Sequence, residues 1–197
     1  MGAQQSLGDF APPMNPALSQ WHTPQNLADR MAAWCVRPGL RVLEPCAGGG
    51  ALVRAALACG GHVSAVEIDP AWAQTLRAEY ADVDIQTADF FKLVPPLYDQ
   101  PDAHALVLMN SPYEDGQDAL WIERALEFAP QVVALVPSRI LYGVSKYERI
   151  WSKHTLARLA NLVRRPVFAG SGGKFDLCVV DVKRGLCFGE TRVEWWA

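Results

Sequence analysis

Along the chain, short apolar runs alternate with longer stretches whose apolar residues recur every three or four positions. The runs "RVLE", "HVSAVEID", "VDIQTADFF", "AHALVLMN", "VVALVPS", "LARLANLV" and "FDLCVVDV" read as seven strands, too uniformly apolar to have a solvated face. Between them, "GALVRAALACG", "AWAQTLRAEYA", "GQDALWIERALEFA" and "SKYERIWSKH" carry helical spacing. A further helix is expected in "HTPQNLADRMAAW", with Thr23 as N-cap, Pro24 in the first helical position, Leu27, Met31 and Trp34 on one face, and "RPGL" ending it. The alternation predicts an α/β fold: a Rossmann-like, doubly wound, seven-stranded and mostly parallel sheet with an antiparallel last strand and helices on both faces. Residues 1–20, aperiodic and proline-bearing around "APPMNP", read as a flexible arm, and residues 21–197 as a single domain. The apolar end "VEWWA" would dock on the sheet or on a second subunit, which makes a homodimer one option.

Composition narrows this picture. Half of the 197 residues are hydrophobic and a fifth are charged, as in globular proteins, and length favours one well-cored domain. No apolar segment approaches the roughly 20 residues that span a bilayer, and "MGAQQSLGDF" lacks the basic region and apolar core of a secretion signal, so a cytoplasmic protein with no membrane partner is expected. Five scattered cysteines without CxxC spacing or partnered histidines indicate neither a disulfide framework nor a metal site. Net charge is −3, but it is unevenly spread. Residues 139–184 hold ten Lys or Arg against three acids, whereas residues 1–138 hold seven against sixteen. Such asymmetry points to a positive field at one end of the molecule.

In open parallel sheets, ligands sit beyond the carboxyl ends of the strands, and here those ends carry distinctive residues. "EPCAGGGAL", with Glu44, Pro45, Cys46, Ala47, Gly48 and Gly50, provides a tight strand-to-helix turn that a ligand can approach closely; no Lys-Ser/Thr follows, so it is not a Walker loop. About twenty residues on, Glu67 and Ile68 end the second strand, where a carboxylate can accept from both hydroxyls of a ribose. Asp89 and Phe90 end the third, an acid for an adenine amino group and an aromatic beside its ring. "NSPY", Asn110 to Tyr113, ends the fourth.

In this order the motifs resemble those of class I S-adenosylmethionine-dependent methyltransferases, in particular the amino-methyltransferases. "EPCAGGGAL" is similar to their E-P-x-x-G-x-G loop, "NSPY" to their (D/N/S)-P-P-(Y/F/W) signature, and "HTPQNLADRM" to the helix that holds the methionine part of the cofactor in the adenine-N6 branch. The likeness covers about residues 20–183. It implies S-adenosylmethionine held by Thr23, Pro24, Glu44 to Gly48, Gly50, Glu67, Ile68, Asp89, Phe90 and Asn110. It further implies that the Asn110 side-chain oxygen and the Ser111 carbonyl accept hydrogen bonds from an exocyclic amine, localising its lone pair toward the methyl group, with Pro112 shaping the loop and Tyr113 stacking on the target base. Ser111 departs from the family, which has proline there; the required carbonyl survives the change, the rigidity of a second proline does not.

"VPSRILYG" also resembles adenine-methyltransferase sequences, and the resemblance turns Arg139, Tyr142, Lys146 and Arg149 toward a polynucleotide, with Lys174 in the glycine-rich "GSGGKF" beside the same mouth. The reading that follows is N-methylation of adenine in DNA, on a flipped or single-stranded base. After NSPY the chain only completes the sheet, so sequence selectivity is expected to be loose or supplied by a partner. The same amine chemistry on RNA or on a protein glutamine is the alternative enzyme. A cofactor-binding accessory subunit that lost turnover at Ser111 is the alternative of another class.

Overall fold

In the computed structural model of the chain, residues 22–95, 103–113, 116–168, 176–187 and 189–197 are described. The proposed arm, Trp21 and Lys174 lie outside them.

The first helix, α1, spans Gln25–Cys35, with Pro24 rather than Thr23 in the cap position. The strand β1 (Arg41–Glu44) then leads through the glycine turn into α2 (Ala51–Ala58). β2 (His62–Glu67) leads into α3 (Pro70–Glu79), whose start is set by the Asp69 side chain accepting from the Ala71 N–H and by Pro70 in the first turn. β3 (Asp84–Thr87) is followed by a 3₁₀ turn at Phe90–Lys92, β4 (Leu106–Met109) by α4 (Asp118–Ala125), and β5 (Gln131–Pro137) by a 3₁₀ turn at Ser138–Leu141. A short helical stretch, α5 (Val144–Lys146), continues as a π-helical segment, Tyr147–Trp151, before β6 (Thr155–Leu162), β7 (Leu177–Lys183) and β8 (Arg192–Trp196).

The sheet order is β3-β2-β1-β4-β5-β7-β6-β8. β1 to β5 run parallel, and β7 enters antiparallel between β5 and β6, pairing Gln131 with Lys183 and Pro137 with Leu177. The expected sheet is therefore present with one strand more than the sequence reading counted. That strand is β8, the "VEWWA" end, which pairs parallel with β6 from Arg158↔Arg192 to Leu162↔Trp196.

Alternate residues of each central strand feed two separate cores. Val42, Val63, Leu106, Leu108, Val133, Leu135 and Val179 pack with α1, α2 and α3, while Leu43, Val66, Val107, Met109, Val132, Ala134 and Val180 pack with α4 and the π-helical segment. This two-sided cover is why the strands read as unbroken apolar runs. Each such Val or Leu contributes about 1.5–3 kcal/mol by leaving water.

One polar group interrupts the first core. Asp181, buried on β7, accepts from Arg158 Nε at 2.6 Å and from Gln131 Nε2 at 2.8 Å. Arg158 also donates to the Trp34 carbonyl at 2.9 Å and lies 4.0 Å over the Trp34 ring. Trp34 in turn meets Trp196 edge-on at 5.3 Å and donates to Glu194, so the last turn of α1 holds β8 in place. Arg158→Met is expected to strand the Asp181 carboxylate and lower unfolding free energy by about 3 kcal/mol. A loss below about 1 kcal/mol in urea denaturation would show that the pair is incidental.

Candidate active site

The carboxyl ends of β1 and β4 meet at the point where strand order reverses, and the site is built there. Gly48 and Gly50 have φ of +49° and +76°, values that L side chains rarely adopt, so the turn from Glu44 to α2 requires glycine at both. Its geometry is fixed from β2. Glu67 accepts the Gly48 N–H on Oε2 at 2.6 Å and the Asp69 N–H on Oε1 at 2.8 Å. Burial raises its pKa above the ordinary value, and these two N–H groups pull it back. The Ile68 N–H also bonds to it, and of the about four lone-pair sites of a carboxylate Glu67 still keeps some acceptor capacity for a ligand hydroxyl.

Glu44 is also buried. Its Oε1 accepts from the Cys46 N–H at 3.2 Å and from the Cys46 thiol at 3.4 Å, whereas Oε2 has no hydrogen-bond partner. Burial pushes the Glu44 carboxyl up to about 8; the two Cys46 bonds oppose this and nearby Glu67 adds to it. The Cys46 thiol lies 3.5 Å from the Asn110 carbonyl, which links the glycine turn to the NSPY loop.

At the neighbouring strand ends, Ile68 is 49% exposed, an apolar surface at the end of β2. Asp89 Oδ1 accepts from the Phe91 N–H at 3.0 Å, and Oδ2 lies 3.4 Å from Lys92 Nζ. Phe90 differs from expectation. Its ring is buried, parallel to Trp121 at 5.7 Å and against Phe128 at 4.6 Å, so it belongs to the second core rather than beside a ligand.

Asn110 lies at the end of β4 with both halves of its amide engaged. Nδ2 donates to Thr23 Oγ1 at 2.8 Å, and Oδ1 accepts from the Tyr113 hydroxyl. The Thr23 hydroxyl, expected to cap α1, instead orients the Asn110 amide. Tyr113 likewise departs from expectation: its ring packs in the first core and is 4% exposed, so in this structure it cannot stack on a base. Burial pushes the Tyr113 phenol well above its ordinary pKa and keeps the O–H a donor. Ser111 is buried with its Oγ unpartnered among the described residues.

The basic residues are brought together less than their sequence density suggested. Arg139 donates to the Tyr113 carbonyl at 2.7 Å and faces buried Asp118 at 3.7 Å. Arg149 and Lys153 both pair with Glu123, and Arg165 pairs with Asp176. Tyr142, Val144 and Tyr147 are strongly exposed past the end of β5, with Lys146 half-buried among them. Tyr147 was not singled out by sequence, since its spacing reads simply as a helix face.

Sequence reasoning gives His22 only an ordinary surface or capping role and passes over Trp72. The His22 ring lies against Trp72 at 4.6 Å, and a Cβ on Gly49 would come within 2.5 Å of His22 Nδ1. The middle glycine of the loop is therefore dictated by this approach, a contact that local sequence does not encode. Among the described residues no group of three or more His, Cys, Asp or Glu could hold a metal ion, and no helix is long and apolar enough to cross a membrane.

No protein-family model and no curated protein matches the chain. Solved structures do. A proposed RNA methyltransferase from Pyrococcus horikoshii superposes with TM-score 0.72 at 17% identity, over 90% of this chain and 90% of that one. The 23S rRNA methyltransferase ErmE gives 0.66 at 21% identity, over 86% and 73%. Magnesium protoporphyrin IX methyltransferase from Synechocystis PCC 6803, solved with bound SAM, gives 0.60 at 16% identity, over 82% and 79%. At these identities the likeness establishes a shared fold, the Rossmann-like methyltransferase fold, here with β7 as the antiparallel strand.

The raised pKa of Glu44 has a measurable consequence. Between its ordinary value of 4.5 and about 8, the unfolded chain releases a proton that the folded chain retains. The resulting stability is complete below the lower value and is lost as pH rises through the upper one. Relative to Glu44→Gln, the wild-type melting midpoint should fall across this window and level off above it. Parallel midpoints from pH 4 to 9 would contradict the assignment.

Proposed function

We propose that the chain is an S-adenosylmethionine-dependent N-methyltransferase acting on the exocyclic amine of adenine in a nucleic acid, with DNA as the leading substrate. The observation that carries this reading is Asn110: a side-chain amide held by Thr23 at the strand-order switch, its Oδ1 already accepting from an internal O–H donor. Residues at the glycine turn suit the cofactor. Glu44 presents an orphaned buried oxygen, Gly48 and Gly50 let a ligand approach the backbone, Glu67 has spare acceptor capacity, and Ile68 offers an apolar face. Glu67 would hold the ribose and Asp89 the adenine amino group, while Thr23 and Asn110 border the methionine end. When bound, S-adenosylmethionine supplies an electrophilic methyl group.

The chain's own contribution is to prepare the amine. Conjugation with the ring makes an exocyclic amine a poor nucleophile. Asn110 Oδ1 and the Ser111 carbonyl would accept hydrogen bonds from its two N–H groups and turn its lone pair out of the ring plane. For this the Tyr113 hydroxyl has to yield Oδ1 to the substrate, and a phenol displaced from the core is then free to stack on the base. Neither acceptor titrates near neutral pH, so water takes the proton released after transfer.

The likeness of "HTPQNLADRM" and "EPCAGGGAL" to the adenine-N6 branch supports adenine as the target base, and DNA leads because the DNA enzymes of that branch supply the resemblance. RNA is the second reading, supported by the likeness to the Pyrococcus protein and to ErmE. A tritiated methyl donor offered to separate pools of DNA, RNA and protein distinguishes them. Label in the DNA pool, recovered as N6-methyl-2′-deoxyadenosine after digestion, is the expected result. Bound cofactor with no labelled pool would favour an accessory subunit.

Variants separate the two halves of the site. Asn110→Ala should abolish transfer while cofactor affinity stays within about twofold, because the amide serves the amine. Asp89→Ala should weaken cofactor binding by about 1–3 kcal/mol, the cost of a lost buried hydrogen bond. Calorimetry that finds equal losses of affinity in both would show that the sites are confused.

The substrate surface makes a different demand. With Arg149 and Lys153 committed to Glu123, stacking rather than phosphate charge should carry much of the affinity. Tyr142→Ala and Tyr147→Ala should each weaken binding of a single-stranded oligonucleotide by about 1–3 kcal/mol with little change in salt dependence. A steeper salt response than affinity loss, measured by fluorescence anisotropy, would refute this.

A further inference from the structure

Arg139 and Asp118 lie on separate elements, and nothing in the amine chemistry above calls for either. Asp118 begins α4, and its carboxyl group is fully buried. Oδ1 accepts from the Ala119 N–H at 3.1 Å, but Oδ2 has no hydrogen bond among the described residues, and Arg139 Nε lies 3.7 Å from it. A buried carboxylate is costly unless a cation faces it, so Asp118 draws Arg139 to this position. The same guanidinium uses Nη2 to donate to the Tyr113 carbonyl at 2.7 Å, the last described residue of the NSPY loop.

The platform beneath Arg139 is rigid. On one side the Ser138 N–H donates to the Asp176 carbonyl at 2.8 Å. On the other, Ile140 is fully buried and its carbonyl accepts from Trp151 Nε1 at 3.0 Å. A planar guanidinium with donors at fixed angles, carried by anchored backbone, is suited to setting the position of a loop.

Building on the N-methyltransferase reading, we infer that Asp118 and Arg139 are positioning residues: a buried carboxylate orients a guanidinium that grips the Tyr113 carbonyl and so places the Asn110 and Ser111 acceptors for the amine. Arg139, although its side chain is 41% exposed, thus acts on the protein's own loop rather than on a phosphate. Asp118, which the resemblance does not mention, becomes part of the machinery at one remove.

The two roles for Arg139 separate experimentally. In the full-length chain, Arg139→Gln and Asp118→Asn should each lower kcat by about 10²-fold, the cost of a misplaced reacting geometry. Cofactor affinity, nucleic-acid KM and the salt slope should stay as in wild type. Arg139→Lys should recover part of kcat, and the double variant Arg139→Gln/Asp118→Asn should be no worse than either single, as for two residues acting through one interaction. A phosphate contact would give another pattern: Arg139→Gln raises KM and reduces the salt slope by about one, while Asp118→Asn is inert. That pattern overturns the inference.

Hydrogen exchange at the Asn110, Ser111 and Tyr113 amides provides a readout independent of turnover. Faster exchange at these amides in both single variants, with melting midpoints near wild type, supports the clamp. Unchanged exchange overturns it. If wild type labels no pool, the N-methyltransferase reading fails, and the exchange data still decide whether Arg139 and Asp118 hold the loop.

Discussion

Everything at the carboxyl edge of the sheet depends on one buried carboxylate, Glu67, which receives N–H groups from two different turns. Gly48 belongs to the turn between β1 and α2, and Asp69 to the turn between β2 and α3. Two turns tied to one side chain cannot move independently, so their spacing is set by the width of a carboxylate. From Gly48 the constraint passes along the loop to Cys46, and through its thiol to the Asn110 carbonyl. Asn110 then reaches Thr23 at the start of α1. Three segments remote in sequence thereby share one frame, and that frame lies where strand order reverses. Net hydrogen bonds of this kind are worth only about 1 kcal/mol each, so the frame owes its rigidity to their closure into a network and to burial.

Much of this organisation is legible in the sequence because it rests on patterns local to each segment. Val42, Val107 and Val133 announce strands covered on both faces, since neither face needs a polar residue. Gly48 and Gly50 announce a turn, since only glycine adopts their φ freely. Glu67, Asp89 and Asn110 are found because a polar residue ending an apolar run sits at a sheet edge. What escapes is whatever depends on a partner chosen by tertiary packing. Thr23 looks like a helix cap, but an amide 87 positions away claims its hydroxyl. Phe90 looks like a ligand neighbour until Trp121 and Phe128 enclose it. The segment "VEWWA" reads as an apolar end that docks on the sheet or on a second subunit, but not as a strand; Trp34 and Arg30 supply the anchorage of β8 that its own sequence does not reveal.

Charge illustrates the same limit. Ten basic residues against three acids between Arg139 and Arg184 suggested a cationic face. In the structure Arg139, Arg149, Lys153, Arg158 and Arg165 each have a carboxylate partner, several of them supplied by elements earlier in the chain. A count over a window of sequence cannot see acids that fold in from outside it. Pairing does not erase these cations, but it divides their roles: Arg158 holds the core, Arg165 a surface pair, and Arg149 with Lys153 the junction between the π-helical segment and α4. Among the described residues, Tyr142, Val144 and Tyr147 leave an exposed aromatic and aliphatic surface beyond β5.

Ser111 bears on how the loop after β4 can work without the second proline of the family signature. Proline would fix one backbone angle and remove one N–H donor. Serine does neither, and its buried hydroxyl finds no described partner to compensate. Order in the loop comes instead from both sides of the serine: Asn110 is tied to Thr23 and to Tyr113, and the Tyr113 carbonyl is tied to Arg139. A ring constrains a loop permanently, whereas hydrogen bonds can be exchanged. Under the proposed chemistry the phenol would leave Asn110 for an amine, while the Thr23 and Arg139 contacts hold the loop. Substituting interactions for a covalent constraint thus yields a loop that is ordered before substrate binds and can still release its key acceptor.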